Sequence, residues 1–127
     1  LAQEISKRAK QKEIIMPALV QVNVAEEKTK HGLRVAEVIP FIKEIAGLEG
    51  LKIQGLMTMA PFVDNAEEVR YVFRELRLLS QKIQQESIKG VEMNLLSMGM
   101  TNDFEVAIEE GANMIRVGTA IFGKRNL

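Results

Sequence analysis

The chain has 127 residues, 46% of them hydrophobic, so it is long and apolar enough to form one domain with a real core. Its 17 basic and 17 acidic residues balance and it has no cysteine, which makes nucleic acid, anionic membranes, disulfides and cysteine metal sites poor expectations. No apolar run reaches the length of a membrane span, and we expect a cytoplasmic protein without a metal site.

The first third of the chain alternates helix and strand patterns. Apolar residues at four-residue spacing over residues 1–13 predict an amphipathic helix, and a β-branched run over 14–24 predicts a strand. Strand alternation places Gln21 and Asn23 on one face of that strand. A buried amide needs a partner, so these two side chains bind either neighbouring strands and water or a ligand.

A second helix and strand follow a polar loop. The helix pattern begins at Val35 and closes near Gly47, and Pro40 inside it predicts a late start or a kink, because proline removes a helical hydrogen bond. The next apolar run, over 51–60, predicts a strand. Gly55 in this run marks a place where another backbone or a ligand comes close.

A third helix has the clearest apolar stripe in the sequence. Asp64 or Asn65 is expected to cap it, and Asp64 with Glu67 has the spacing of a capping box. The stripe consists of Val69, Val72, Phe73, Leu76, Leu79 and Ile83. Arg70, Arg74 and Arg77 lie off this stripe and are expected on the surface.

Two more strands, over 91–98 and 114–119, enclose a short helix for which Asn102 and Glu105 form a capping box. The helix is expected to carry Phe104, Ala107 and Ile108. Arg116 lies in the last strand, and arginine is almost never buried without a partner. It is therefore either a structural ion pair or, as we favour, a ligand contact.

Small residues end these last two strands. The SMGM and RVGT segments provide Ser97, Gly99, Gly118 and Thr119, which let a backbone approach a ligand and still offer N–H and O–H donors. The stretch over 95–123 therefore predicts an anion-binding site formed at two strand ends.

Strict alternation of helix and strand indicates an α/β fold with about four parallel strands and right-handed crossovers. The spacing between strands suits repeated βα units, and a TIM-type (β/α)8 barrel needs about 250 residues. The chain holds half of that. It starts with Leu1 and runs directly into a helix, which we interpret as a fragment.

The order of three segments resembles one family. VQVNVAEEKTKHGL, IQGLMTMAPF and LLSMGMTNDFEVAIEEGANMIRVGTAIFG are similar to the C-terminal half of the pyridoxal-phosphate homeostasis proteins, the YggS/PROSC family. The resemblance implies an alanine-racemase-like, fold type III barrel that binds pyridoxal 5′-phosphate (PLP). It also implies a role in vitamin B6 and amino-acid balance instead of a turnover reaction.

The resemblance assigns the site residue by residue. Its phosphate-binding positions match Ser97, Gly99, Gly118 and Thr119. Its cofactor-ring arginine matches Arg116, which beside the pyridine nitrogen would keep that nitrogen unprotonated and weaken the ring as an electron sink. Its apolar wall positions match Met57 and Met98, and a polar strand-end position matches Asn23.

One family feature is missing. The resemblance places the Schiff-base lysine upstream, so residues 1–127 are expected to be the C-terminal half of the barrel domain, with Lys30 as the one nearby amine that could substitute. Expected partners are PLP or phosphate, and a second copy or the missing half that covers the open sheet. The alternatives are a fold type III racemase or decarboxylase and a barrel enzyme acting on another phosphorylated metabolite.

Overall fold

The computed structural model of the chain describes residues 1–28 and 31–118, in which helices and strands alternate. In chain order the elements are α1 (Ala2–Gln11), β1 (Met16–Gln21), α2 (Val35–Ile45), β2 (Leu51–Met57), a 3₁₀ turn (Ala66–Val69), α3 (Arg70–Glu86), β3 (Val91–Met100), α4 (Phe104–Glu109) and β4 (Met114–Arg116). The strands are parallel and lie in the order β1-β2-β3-β4. They curl into a half-barrel, which confirms the predicted α/β architecture.

The helix-facing side of the sheet forms the core. Val20 pairs with Leu56, and Leu56 pairs with Leu96, so these three side chains form a row that points toward the helices. The α3 stripe lies against this side and is buried at every predicted position, as expected from its spacing. Burying each large apolar side chain contributes roughly 1.5–3 kcal/mol, which makes α3 a main source of stability.

Close approach of two strands explains the glycine in β2. A Cβ added at Gly55 would overlap the carbonyl group of Leu95 on β3, and the register of the β2–β3 pair shifts just before this residue. The prediction that a backbone comes close here is confirmed, and the neighbour is the adjacent strand.

The structure decides two of the predicted helix starts. Helix α2 begins at Val35, so the late start is wrong; Pro40 leaves the carbonyl of Ala36 without its N–H partner on an exposed turn, where water can satisfy it. Of the two candidate caps for the third helix, Asn65 is the correct one. It accepts the Glu67 N–H at 3.0 Å and caps the 3₁₀ turn that leads into α3.

Helix α4 begins after Asp103 instead of Asn102. The Asp103 carboxylate accepts the main-chain N–H of Met100 at 2.7 Å, and this bond closes the turn that follows β3. In α4, Val106 is buried beside Ala107, whereas Ile108 is half exposed. Of the three residues that the sequence assigned to the apolar side of this helix, Ile108 is therefore half exposed, because packing against β3 decides which face of the short helix is covered.

The arginines of α3 are not simply solvated. Arg70 is mostly buried and bonds Glu67, Glu109 and Glu110, and the Glu110 carboxylate also lies 3.1 Å from Arg77 and 3.8 Å from Arg74. The hydrogen bond from Arg70 holds the pKa of Glu110 below its usual value, and the charges of Arg77 and Arg74 add to this effect. This ion cluster joins α3 to the end of α4.

Within residues 1–28 and 31–118, no helix combines the length and hydropathy needed to cross a membrane. The same residues contain no group of three or more His, Cys, Asp or Glu side chains placed to hold a metal ion.

Candidate functional site

One row of side chains crosses the sheet near its carboxyl edge, on the face opposite the helices. Gln21 pairs with Met57, Met57 with Ser97, and Ser97 with Met114. This row lies one residue beyond the buried row of Val20, and successive residues of a strand point to opposite faces. The side chains that follow the core row therefore line the inner face of the half-barrel.

Arg116 spans this edge from β4 toward β2. Its Nη1 donates to Ser97 Oγ at 2.6 Å, and its Nη2 donates to the main-chain carbonyl of Thr58 at 3.0 Å. Nε is buried and has no hydrogen-bond partner among the described residues. Both partners of the Nη atoms are neutral oxygens, so within the described ranges the ion-pair interpretation of Arg116 is wrong. A guanidinium with five N–H donors retains donors for a further acceptor.

The electrostatic setting of Arg116 is unusual for an arginine. Burial lowers its pKa, and the negative charge of Asp103 partly opposes that shift. Arginine stays protonated under such conditions because its pKa is very high. The site therefore contains a fixed positive charge that is held by neutral groups and, among the described residues, is not cancelled by a bonded carboxylate.

Thr58 is a site residue that sequence reasoning missed. It is fully buried, its hydroxyl donates to the carbonyl of Val22 at 2.6 Å, and its N–H donates to the carbonyl of Ser97 at 3.1 Å. Its own carbonyl accepts Nη2 of Arg116. Thr58 thereby connects the carboxyl ends of all four strands. The available signal was a single hydroxyl in the apolar run LMTMA.

Ser97 lies within β3, not in a turn. The SMGM segment remains strand as far as Met100, so the predicted end of this strand at Met98 is wrong, and the turn occupies residues 101–103. Ser97 is only 2% exposed, and its hydroxyl accepts from Arg116. The hydroxyl at the true strand end belongs to Thr101, which is half-buried. A phosphate contact by Ser97 stays a prediction.

The two methionines lie on opposite faces of the sheet. Met57 is half-buried in the inner row, where it adjoins Ser97. Met98 is fully buried in the core among residues that pack against the helices. Of the two predicted wall residues, Met57 has its side chain on the face that carries Ser97, whereas Met98 presents only its main chain to this edge.

Gly99 is required by packing and by backbone conformation. Its φ is +107°, a region that side chains rarely adopt, and an added Cβ would lie 2.8 Å from Ala107 Cβ and 3.2 Å from Phe104 Cα. This glycine thus allows α4 to lie close to β3. Gly118 is exposed, and no described atom lies within 4 Å of a Cβ added there, which is compatible with a ligand beside it.

Asn23 organises the loop after β1. Its amide nitrogen donates to the carbonyl of Glu27 at 2.7 Å, and its amide oxygen accepts the Glu27 N–H at 3.1 Å. Gln21 similarly donates to the carbonyl of His31 at 3.2 Å. Both amides thus bond the loop main chain, and the ligand contact expected of Asn23 stays a prediction. Thr119 and Lys30 lie outside the described residues.

Comparison with known proteins adds three kinds of relatives. Residues 1–126 match the family model of the alanine racemase N-terminal domain. The chain is 45% identical over 125 residues to a pyridoxal phosphate homeostasis protein of Aquifex aeolicus, covering 98% of this chain and 54% of the relative. It is 38% identical over 108 residues to the pyridoxal phosphate homeostasis protein of Haemophilus influenzae, covering 85% of this chain and 45% of that relative.

Solved structures of related proteins are also similar to this chain. PipY of Synechococcus elongatus with PLP bound superposes with a TM-score of 0.83 at 29% identity, over 96% of this chain and 56% of that one. An unknown protein of Bifidobacterium adolescentis superposes with a TM-score of 0.89 at 39% identity, over 95% of this chain and 48% of that one. Alanine racemase of Clostridium difficile shares the fold, with a TM-score of 0.74 and 20% identity over 99% of this chain and 34% of the racemase. The chain spans about half the length of the curated relatives it matches.

Proposed function

Because this chain belongs to the alanine racemase N-terminal domain family, we propose that it binds PLP at the carboxyl edge of its sheet. Its role is PLP homeostasis without a turnover reaction. The names of its relatives and the PLP-bound PipY structure support the choice of ligand. The inner face that carries Met57 and Ser97 is where the pyridine ring would lie.

The arrangement of Arg116 is the observation that carries this proposal. Arg116 is half-buried, its buried Nε has no partner among the described residues, and its other partners are neutral, so the guanidinium needs an acceptor. An aromatic nitrogen or an anionic oxygen fits that need. PLP supplies both kinds of acceptor, together with a reactive carbonyl and an electron-withdrawing ring. Arg116 beside the ring nitrogen would keep it unprotonated, which lowers that electron demand and suits a carrier.

The phosphate group would lie where the loops after β3 and β4 meet. In barrels of this type the last two strands are followed by loops that commonly hold phosphate. Gly99, Gly118 and the Thr119 hydroxyl are the proposed contacts, and the surroundings of Gly118 are compatible with a bound group. The Ser97 hydroxyl, which the resemblance also assigns to the phosphate, already accepts a hydrogen bond from Arg116. Met57 and the main chain at Met98 would bound the ring, and Asn23 would fix the loop on the β1 side.

Residues 1–127 are proposed to form the C-terminal half of a barrel. The amine that bonds the cofactor covalently would then lie outside these residues, in a segment that supplies the remaining strands. Among the described strands β1 pairs only with β2, although Leu33 bonds the carbonyl of Gln21 at the carboxyl end of β1. A groove of about 520 Å³ beside β1 is lined mainly by apolar side chains of α1, β1, α2 and β2. A second copy or a further half-barrel would cover this edge.

Titration of the 127-residue chain with PLP tests the proposal. We expect a saturable change in the absorbance of PLP, and Arg116→Gln should weaken binding about tenfold by removing a charged hydrogen-bond donor. Arg8→Gln is the matched control, because Arg8 is exposed and bonds Glu4 alone among the described residues. No saturable change at millimolar PLP in the wild-type chain would contradict the proposal.

Borohydride reduction of the PLP-loaded chain followed by mass spectrometry tests the covalent aspect. We expect no efficient modification of one specific lysine, since the proposed anchor lies outside residues 1–127. A stoichiometric adduct at Lys30 would show instead that this half carries its own anchor. Inorganic phosphate should compete with PLP, whereas a barrel specific for another phosphorylated metabolite would bind phosphate without responding to pyridoxal.

Light scattering tests the proposed pairing. The open edge of β1 predicts that the chain associates with itself as its concentration rises. A well-behaved monomer at high concentration would count against pairing between copies.

A further inference from the structure

We infer that Ser97 is a positioning residue for Arg116 and does not itself bind phosphate. Its hydroxyl holds the guanidinium at the carboxyl edge of the sheet, so that the remaining N–H donors face an incoming acceptor. The choice of ligand rests on the proposed function, but the contact between Ser97 and Arg116 does not.

The location of the Ser97 hydroxyl supports this role. It lies inside β3, three residues before the strand ends at Met100, and the residue is almost completely buried. Its Oγ accepts Nη1 of Arg116 at 2.6 Å, and the charged donor strengthens this hydrogen bond. The strand continues beyond Ser97, and the turn that follows it occupies residues 101–103.

A second anchor on the same guanidinium strengthens the inference. The Thr58 carbonyl accepts Nη2 at 3.0 Å, and Thr58 is itself fixed by hydrogen bonds to Val22 and to the main chain of Ser97. Bonds to both Nη atoms restrict rotation of the planar group and leave Nε without a partner in the described ranges. A long arginine side chain otherwise loses considerable rotamer freedom on binding, so fixing it in advance favours ligand association.

The positioning role is measurable without any ligand. In the unliganded chain labelled with ¹⁵N, slow rotation should give separate Nη1 and Nη2 signals for Arg116 at low temperature. Ser97→Ala should merge these signals, and Ser97→Thr, which keeps the hydroxyl, should restore the separation. Ser80→Ala is the matched control, because it removes a serine hydroxyl that is also buried but lies on α3. Ser97→Cys, nearly the same size and a poor acceptor, replaces the alanine variant if that variant does not fold.

Ligand titrations then separate positioning from phosphate contact. The probes are inorganic phosphate and pyridoxal, which lacks the phosphate. Ser97→Ala should change the phosphate Kd less than about threefold and raise the pyridoxal Kd about tenfold. Unchanged Arg116 signals combined with a tenfold weaker phosphate affinity would overturn the inference and assign Ser97 to the phosphate. If the wild-type chain binds neither probe, the proposed function fails, and the Arg116 signals alone decide the role of Ser97.

Discussion

Replacing Gly99 with alanine should strongly destabilise the protein and disturb the site together with it. Gly99 has φ +107° and lies between β3 and α4. The new Cβ would lie 2.8 Å from Ala107 Cβ and 3.3 Å from Ile115 Cγ2, distances too short for unstrained contact. Met100, the next residue, pairs with Arg116, so a displaced α4 or β3 would also move the guanidinium.

Two effects make up the expected magnitude. Holding a non-glycine residue at this backbone conformation costs about 1–3 kcal/mol. Overpacking against Ala107 and Phe104 adds about 1–3 kcal/mol, because neither neighbour is the flexible end of a long side chain. We therefore expect Gly99→Ala to lower the free energy of unfolding by about 2–6 kcal/mol.

Urea unfolding followed by circular dichroism measures this loss, and an unchanged dependence on urea concentration shows that the variant still unfolds as one unit. A double-mutant cycle with Ala107→Gly separates the two effects. Removing the opposing Cβ should recover about 1–2 kcal/mol of the loss, while the backbone strain remains. Gly47→Ala is the control, because a Cβ added at Gly47 meets no described atom within 4 Å. Equal stability of Gly99→Ala and Gly47→Ala would refute the reasoning.

Three further predictions concern stability. Gly55→Ala should cost about 3 kcal/mol or more in urea unfolding, because its Cβ would overlap the carbonyl of Leu95 and push β2 and β3 away from each other; a loss under about 1 kcal/mol would contradict this. The lowered pKa of Glu110 means that its stabilising effect is complete above about pH 4.5 and is lost as pH falls through the lower folded-state value. Glu110→Gln should therefore reduce the fall of the urea unfolding midpoint at acid pH, whereas Glu44→Gln on α2 should leave this fall unchanged. The same fall in both variants would disprove the coupling. Asn65→Ala should cost about 1 kcal/mol by removing the cap before α3, and an unchanged thermal midpoint would exclude it.

Periodicity identified the elements because it reports which residues are buried. The stripe of α3 and the apolar runs of the strands predicted the right order of elements, and Gly55 marked a close approach. The predicted ends of the helices and strands were less accurate than their order. β3 continues through Gly99 to Met100, since a glycine at positive φ continues the strand there instead of ending it. This difference of two residues moved the predicted turn away from Ser97.

The contacts among the candidate site residues were not predictable from the sequence. Arg116 stood out in the sequence as a charge in an apolar strand, whereas Ser97 and Gly99 lie within β3 and do not mark its end. The partners of Arg116 come from β3 and from the end of β2, 19 and 58 residues away in sequence. Thr58 carried too weak a local signal, because its importance comes from a main-chain carbonyl that every residue type possesses.

The sequence by itself determined the alternation of helices and parallel strands and the core stripe, because burial and turn formation depend on local residue pattern. Only the tertiary structure decided what each side chain touches. It placed Met98 in the core and Met57 on the inner face. It also showed that the Ser97 hydroxyl accepts a hydrogen bond from Arg116 and that the α3 arginines form ion pairs with Glu110. These choices depend on strand register and helix rotation, which a shift of one residue reverses.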